Sequence, residues 1–199
     1  MTSHKTDLLR EIKEEVINLT ESPLYAYRTE NGYCPVIGEG SHDAKIMFIG
    51  EAPGENEAKT GRPFCGASGR LLDQMLESVN IKREEVYITN IVKDRPPKNR
   101  DPQRGELGLY APFLDRQINI IQPQIIATLG RFSMEFVLSR FNAPESTQKI
   151  SALHGKLIPI KADYGDIHIL PLFHPAVALY NGGQKATLLE DFQVLKDFA

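Results

Sequence analysis

Four short apolar runs, residues 45–49, 86–92, 124–129 and 167–172, punctuate the chain, and stretches of helical periodicity lie between them. A strand buried on both faces reads as a near-continuous hydrophobic run, whereas a half-exposed strand alternates. Strands of the first kind alternating with helices predict a mainly parallel sheet with helices packed on both faces. Residues 66–78 read as one such helix, with Leu71, Leu72, Met75 and Leu76 turned inward, and residues 104–121 as another, stopped by Pro123. Gly130 opens a third that runs through Leu138. A further strand at 157–160 leads into the turn Asp163-Tyr164-Gly165-Asp166, and a last helix at 185–198 follows Gly182-Gly183. Leu8, Leu9, Ile12, Val16 and Ile17 recur at helical spacing within the first 20 residues, and an irregular stretch occupies 20–43. No repeat, low-complexity tract or linker divides the sequence, so a single domain over 1–199 is expected, with the N-terminal helix (1–20) packed on it.

Composition narrows the class. The chain is 41% hydrophobic and 25% charged, enough for one substantial core, and no apolar run approaches a membrane span. Residues 1–18 are charged and helix-periodic, unlike a secretion signal, and Cys34 and Cys65 do not form a disulfide framework. A cytoplasmic location is expected. The formal charge of −3 weighs weakly against a polyanionic partner. Lys93, Arg95, Lys98, Arg100 and Arg104 nevertheless cluster, interrupted only by Asp94 and Asp101, and can give one face a positive sign.

In open α/β sheets, ligands sit outside the carboxyl ends of the strands. Gly50-Glu51-Ala52-Pro53-Gly54 follows the first run, and Gly61-Arg62-Pro63-Phe64-Cys65-Gly66 comes soon after. Thr89-Asn90-Ile91-Val92-Lys93 closes the second run, and Phe173-His174-Pro175-Ala176 follows the last. The fold reading thus brings a carboxylate, an aromatic ring, a carboxamide and an imidazole to one rim. Singly, each has a plainer role: Glu51 as a turn acid, Phe64 as core, Asn90 as a strand-end cap, His174 as a structural ring. Their shared position argues for a site.

The blocks GEAPGENEAKTGRPFCGASGRLLD (50–73), ITNIVKDRPPKNRDP (88–102), QPQIIATLG (122–130) and HPAVAL (174–179) resemble the uracil-DNA glycosylase superfamily, specifically its fourth, iron–sulfur family. The resemblance implies a three-layer α/β/α sandwich around a central, mainly parallel four-stranded sheet. It implies an enzyme that flips uracil out of single- or double-stranded DNA and hydrolyses the glycosidic bond, working as a monomer without a membrane. Glu51 and His174 would be catalytic, the first orienting water and offsetting charge on the sugar, the second donating to uracil O2. Ala52, Glu57, Phe64 and Asn90 would bind the base. Phe64 would stack on it, and the adjacent donor and acceptor of Asn90 match uracil N3–H and O4 but not cytosine. Ser68 and Gly69, at a helix start, would face a phosphate, as would Lys93, Arg95, Lys98 and Arg100. Val177, Ala178 and Leu179 would fill the gap left by the flipped nucleotide, with Tyr180 standing where such families often carry a basic residue.

Two departures from the pattern matter. The cluster cysteines align with Leu19, Ser22, Asp94 and Tyr110, so no iron–sulfur cluster is expected and no other metal is called for. An apolar contact of Tyr110 with Leu19 and Leu24, and an arginine partner for Asp94, are the expected replacement. No histidine lies between His42 and His154, which argues against the covalent uracil adduct of some relatives. A binding module that has lost turnover, and a glycosylase for hypoxanthine or xanthine, remain open on the sequence.

Overall fold

The computed structural model describes residues 2–179 and 181–198. The helices α1 (Thr2–Ile17) and α2 (Pro23–Glu30) precede a two-residue strand, β1 (Glu39–Gly40), and the first central strand, β2 (Ile46–Gly50). Then come α3 (Glu55–Thr60), α4 (Ala67–Ser78), β3 (Tyr87–Asn90), α5 (Arg104–Ile121), β4 (Ile125–Leu129) and α6 (Arg131–Arg140). The chain continues with α7 (Ile150–Leu153), the hairpin β5 (Ile158–Ala162) and β6 (Gly165–Leu172), α8 (Pro175–Ala178) and α9 (Gly182–Phe192).

The sheet order is β1-β3-β2-β4-β6-β5. The four central strands are parallel, in the register Gly50↔Asn90, Ile49↔Thr128 and Thr128↔Pro171. Every residue of β2, β3 and β4 is buried, which accounts for the unbroken apolar runs. The parallel α/β reading therefore holds. Two antiparallel edge strands, β1 and β5, extend the expected four strands to six. β1 is too short to leave a periodic signal, and it lies in the stretch read as irregular.

Helices cover both faces. Leu9, Ile12 and Val16 of α1 pack with Tyr110, Phe113 and Leu114 of α5 and Met134 of α6 against Met47, Ile49 and Ile91. On the other face Leu72, Met75 and Leu76 of α4 and Leu188 and Phe192 of α9 meet Phe48, Ile88 and Leu170. Phe48 and Phe192 stack at 5.8 Å. The last helix runs over 182–192, so Gly182-Gly183 form its first turn rather than precede it; Asn181 caps it by accepting from the Gly183 and Gln184 N–H groups. α2 is a second element within the irregular stretch, capped by the Ser22 hydroxyl, which accepts from Leu24 N–H at 3.2 Å.

Candidate active site

Parallel strands end on the same side, and here β2, β3 and β6 deliver Glu51, Asn90 and His174 to one cavity of about 440 Å³. Ala52, Glu57, Phe64 and Ser68 line it as well. The convergence depends on glycine at the end of β2. A Cβ on Gly50 would lie 2.3 Å from Asn90 Oδ1 and 2.8 Å from the Phe64 ring, so the bare backbone lets amide and ring meet.

Phe64 occupies a left-handed backbone conformation, φ 47°, which a bulky residue adopts only when its surroundings impose it. Two features do so. Glu57 Oε1 accepts from the N–H groups of Cys65 at 3.1 Å and Gly66 at 3.2 Å, closing the turn from outside. Gly69 of α4 lies directly beneath, where a Cβ would come 1.7 Å from the Phe64 carbonyl oxygen. The ring is held 5.8 Å from that of His174 at an angle of 33°, leaving a slot beside both. Glu57 thus supports the turn as well as lining the cavity. Gly69 is buried under that turn, in the first turn of α4.

The Asn90 side chain is 2% exposed, and among the described residues no hydrogen bond engages its carboxamide. Buried amides are nearly always satisfied, so an unengaged one facing a cavity marks a ligand's place. His174 caps α8, its Nδ1 accepting from Ala176 N–H at 3.1 Å. In the neutral ring the proton then resides on Nε2. Burial pushes its pKa down to about 4, with the Glu57 carboxylate opposing, so the ring is a neutral donor at physiological pH. Glu51, half buried, is pushed up to about 7 by burial and then by the Asp101 carboxylate, against the pull of Arg131.

The basic loop differs from expectation. Lys93 is fully buried and cannot reach a phosphate, because its chain folds back beneath β3. The Arg95 guanidinium donates to Tyr33 Oη and Asn99 Oδ1, both at 2.7 Å, and to Glu55 at 3.3 Å. Arg100 lines the cavity, but it is paired with buried Glu106 at 2.6 and 2.8 Å. Lys98 stands exposed. On α8 and the residue after it, Val177 (44%) and Leu179 (38%) are exposed apolar side chains beside the cavity, while Ala178 turns inward. Tyr180 lies outside the described residues. Sequence reasoning missed Asn99 and Asp101 on the cavity wall and Arg131 near Glu51. Arg131 opens α6, with only Gly130 between it and the end of β4, the one central strand end at which no site residue was sought.

The four positions aligned with cluster cysteines come together between α2, α5 and the loop after β3. Arg28 donates to both Asp94 oxygens at 3.0 and 3.1 Å, to Val16 O at 2.9 Å and to Ile17 O. Tyr110 Oη donates to Asp94 at 2.6 Å and so accepts from Ser22 Oγ at 2.9 Å. Leu19 packs in the same apolar cluster as Tyr110. The arginine partner of Asp94 was expected; the hydrogen-bonded chain through Tyr110 and Ser22 was not. Among the described residues no group of three or more His, Cys, Asp or Glu side chains could hold a metal ion, and no helix is long and apolar enough to cross a membrane.

Comparison with known proteins agrees with this geometry. The sequence model of the Uracil DNA glycosylase superfamily matches residues 37–196. A "Type-4 uracil-DNA glycosylase" of Sulfurisphaera tokodaii is 46% identical over 97% of this chain and 86% of its own length. Its counterpart in Thermotoga maritima is 39% identical over 98% and 96%. A "Type-5 uracil-DNA glycosylase" of Thermus thermophilus is 30% identical over 81% and 77%. Near-full-length identity of this order, on a sheet whose strand ends build the cavity its motifs foretold, makes this chain a member of the uracil-DNA glycosylase superfamily.

Proposed function

We propose that the chain is a monofunctional uracil-DNA glycosylase of base excision repair, acting as a monomeric single domain in the cytoplasm on single- or double-stranded DNA. The observation that carries this reading is the buried, unengaged Asn90 carboxamide sharing a cavity with the Nε2–H of His174 and the face of Phe64. A flipped uracil offers N3–H and O4 to the amide, O2 to the imidazole and its face to the ring. Base stacking on an aromatic side chain contributes about 1–3 kcal/mol.

Breaking the C1′–N1 bond sends the electron pair to the base and leaves positive charge on the sugar. His174 stabilises the first by donating to O2 without becoming charged, and the Glu51 carboxylate offsets the second. Water then adds its oxygen to C1′ and yields a proton to Glu51, while the uracil anion is protonated from solvent. Ser68, near the start of α4, and Lys98 would contact phosphate, and the exposed Val177 and Leu179 would fill the vacated stack.

The cluster of the iron–sulfur family does not fit here. Its four thiolate positions carry a leucine, a serine, an aspartate and a tyrosine, and the three polar ones are saturated by one another and by Arg28. No catalytic step is routed through such a group. The test of the function is alkaline cleavage of labelled oligonucleotides carrying uracil, hypoxanthine or xanthine after treatment with excess protein. Strand scission at uracil is expected. Scission only at a purine would move the activity to another base, and none at all would leave a binding module.

A further inference from the structure

Lys93 is expelled from the DNA surface, yet its side chain is engaged at every position. Its Nζ lies 2.6 Å from Asn90 O, 2.8 Å from Thr89 Oγ1 and 2.5 Å from Gln117 Oε1. All four residues are at most 2% exposed. None of the three acceptors can return a hydrogen. Asn90 contributes a carbonyl, and the Thr89 hydroxyl is committed to Ile37 O at 2.6 Å. The Gln117 Nε2 donates to Ile37 O at 2.9 Å and to Tyr87 Oη at 3.1 Å; the reverse amide orientation would set oxygen against oxygen at Ile37 and donor against donor at Lys93.

A neutral amine has two hydrogens and a lone pair, so one acceptor would face that lone pair at contact distance. Only an ammonium, with three hydrogens, satisfies all three. Burial alone pushes this amine well below its ordinary range, and the three charge-assisted hydrogen bonds oppose that shift. Among the described residues no carboxylate pairs with Lys93, and the neighbouring Asp94 is taken by Arg28 and Tyr110.

We infer that Lys93 is an unpaired buried cation set behind the base-binding amide, fixing the Asn90 strand end and stabilising the departing base as it becomes an anion. This rests on the glycosylase reading above. Lys93 touches no substrate. It positions Asn90 through the main chain and adds a fixed positive potential on the side of the cavity where O4 and N3 would lie. In a site shielded from water such a charge is felt at a distance.

The test compares single-turnover excision of uracil and of 5-fluorouracil, whose anion is intrinsically the more stable leaving group. In Lys93→Met, uracil excision is expected to fall about tenfold and fluorouracil excision by clearly less, raising the fluorouracil-to-uracil ratio. Affinity for DNA bearing an uncleavable 2′-fluoro-deoxyuridine is expected to stay unchanged. Should Lys93→Met fail to fold, Lys93→Gln gives the same answer: its amide keeps two donors for the buried acceptors but carries no charge, and the ratio is again expected to rise. A purely structural lysine would slow both substrates equally in Lys93→Met and in Lys93→Gln, leaving the ratio unchanged and overturning the inference. A wild type unable to release either base would instead refute the glycosylase reading itself.

Discussion

Two titrating groups in one cavity are driven in opposite directions: His174 is held neutral, as its proposed task needs, while Glu51 titrates near neutrality and is the carboxylate its task needs only above that range. Burial lowers His174 to about 4 and raises Glu51 to about 7. Excision that needs the Glu51 carboxylate is expected to rise about tenfold per pH unit below neutrality and to level off above about pH 8. A single-turnover rate–pH profile checks this, and in Glu51→Gln the slower residual rate should lose that limb. Stability carries the opposite sign. Because the folded-state pKa of Glu51 is raised from 4.5, its deprotonation favours the unfolded chain, and stability is lost as pH rises from about 4.5 through about 7. Glu51→Gln should therefore melt higher than wild type at pH 8 and about equally at pH 4. The meeting of Glu51, Asn90 and His174 was legible because each sits at or just past a strand end, and that of Phe64 because it lies in the glycine-rich turn between α3 and α4. Lys93 and Arg95 are buried, against the surface role read for them, because their partners Tyr33, Glu55 and Gln117 come from elsewhere in the chain. A local window shows a charge but not which way it points.

At the scale of elements, the site depends on how closely β2, β3 and the Phe64 turn approach one another. Gly50 is the narrowest point, and the turn residues around it are set by Glu57 and by α4. Gly50→Ala would push Asn90 Oδ1 and the Phe64 ring aside, and displacement of a positioning group by about 1 Å can cost on the order of a hundredfold in rate. A loss of that size with a nearly unchanged thermal midpoint is expected in paired excision and melting measurements. The central strands were readable because burial on both faces removes polar alternation. β1, at two residues, and α2, at eight, were not, since each is held by tertiary pairing rather than by its own periodicity.

At the scale of the molecule, a buried polar network ties the N-terminal helices to α5 and the loop after β3. An ion pair this deep is costly to break from one side: Arg28→Met is expected to lose about 3–5 kcal/mol in denaturant unfolding. Tyr110→Phe, which removes one bond to Asp94 and one from Ser22, should lose about 1–3 kcal/mol. Anaerobically purified protein should carry no stoichiometric iron in elemental analysis. Leu19, Ser22, Asp94 and Tyr110, grouped in the sequence only by resemblance, lie together in the fold, but the route of their hydrogen bonds needed coordinates. The most direct measurement is single-turnover release of uracil from one labelled oligonucleotide by wild type, Glu51→Ala, Asn90→Ala and His174→Ala, each checked for folding. Expected is release by the wild type and a loss of about a hundredfold or more in every folded variant; variants that release uracil at the wild-type rate would contradict the placement of the chemistry in this cavity.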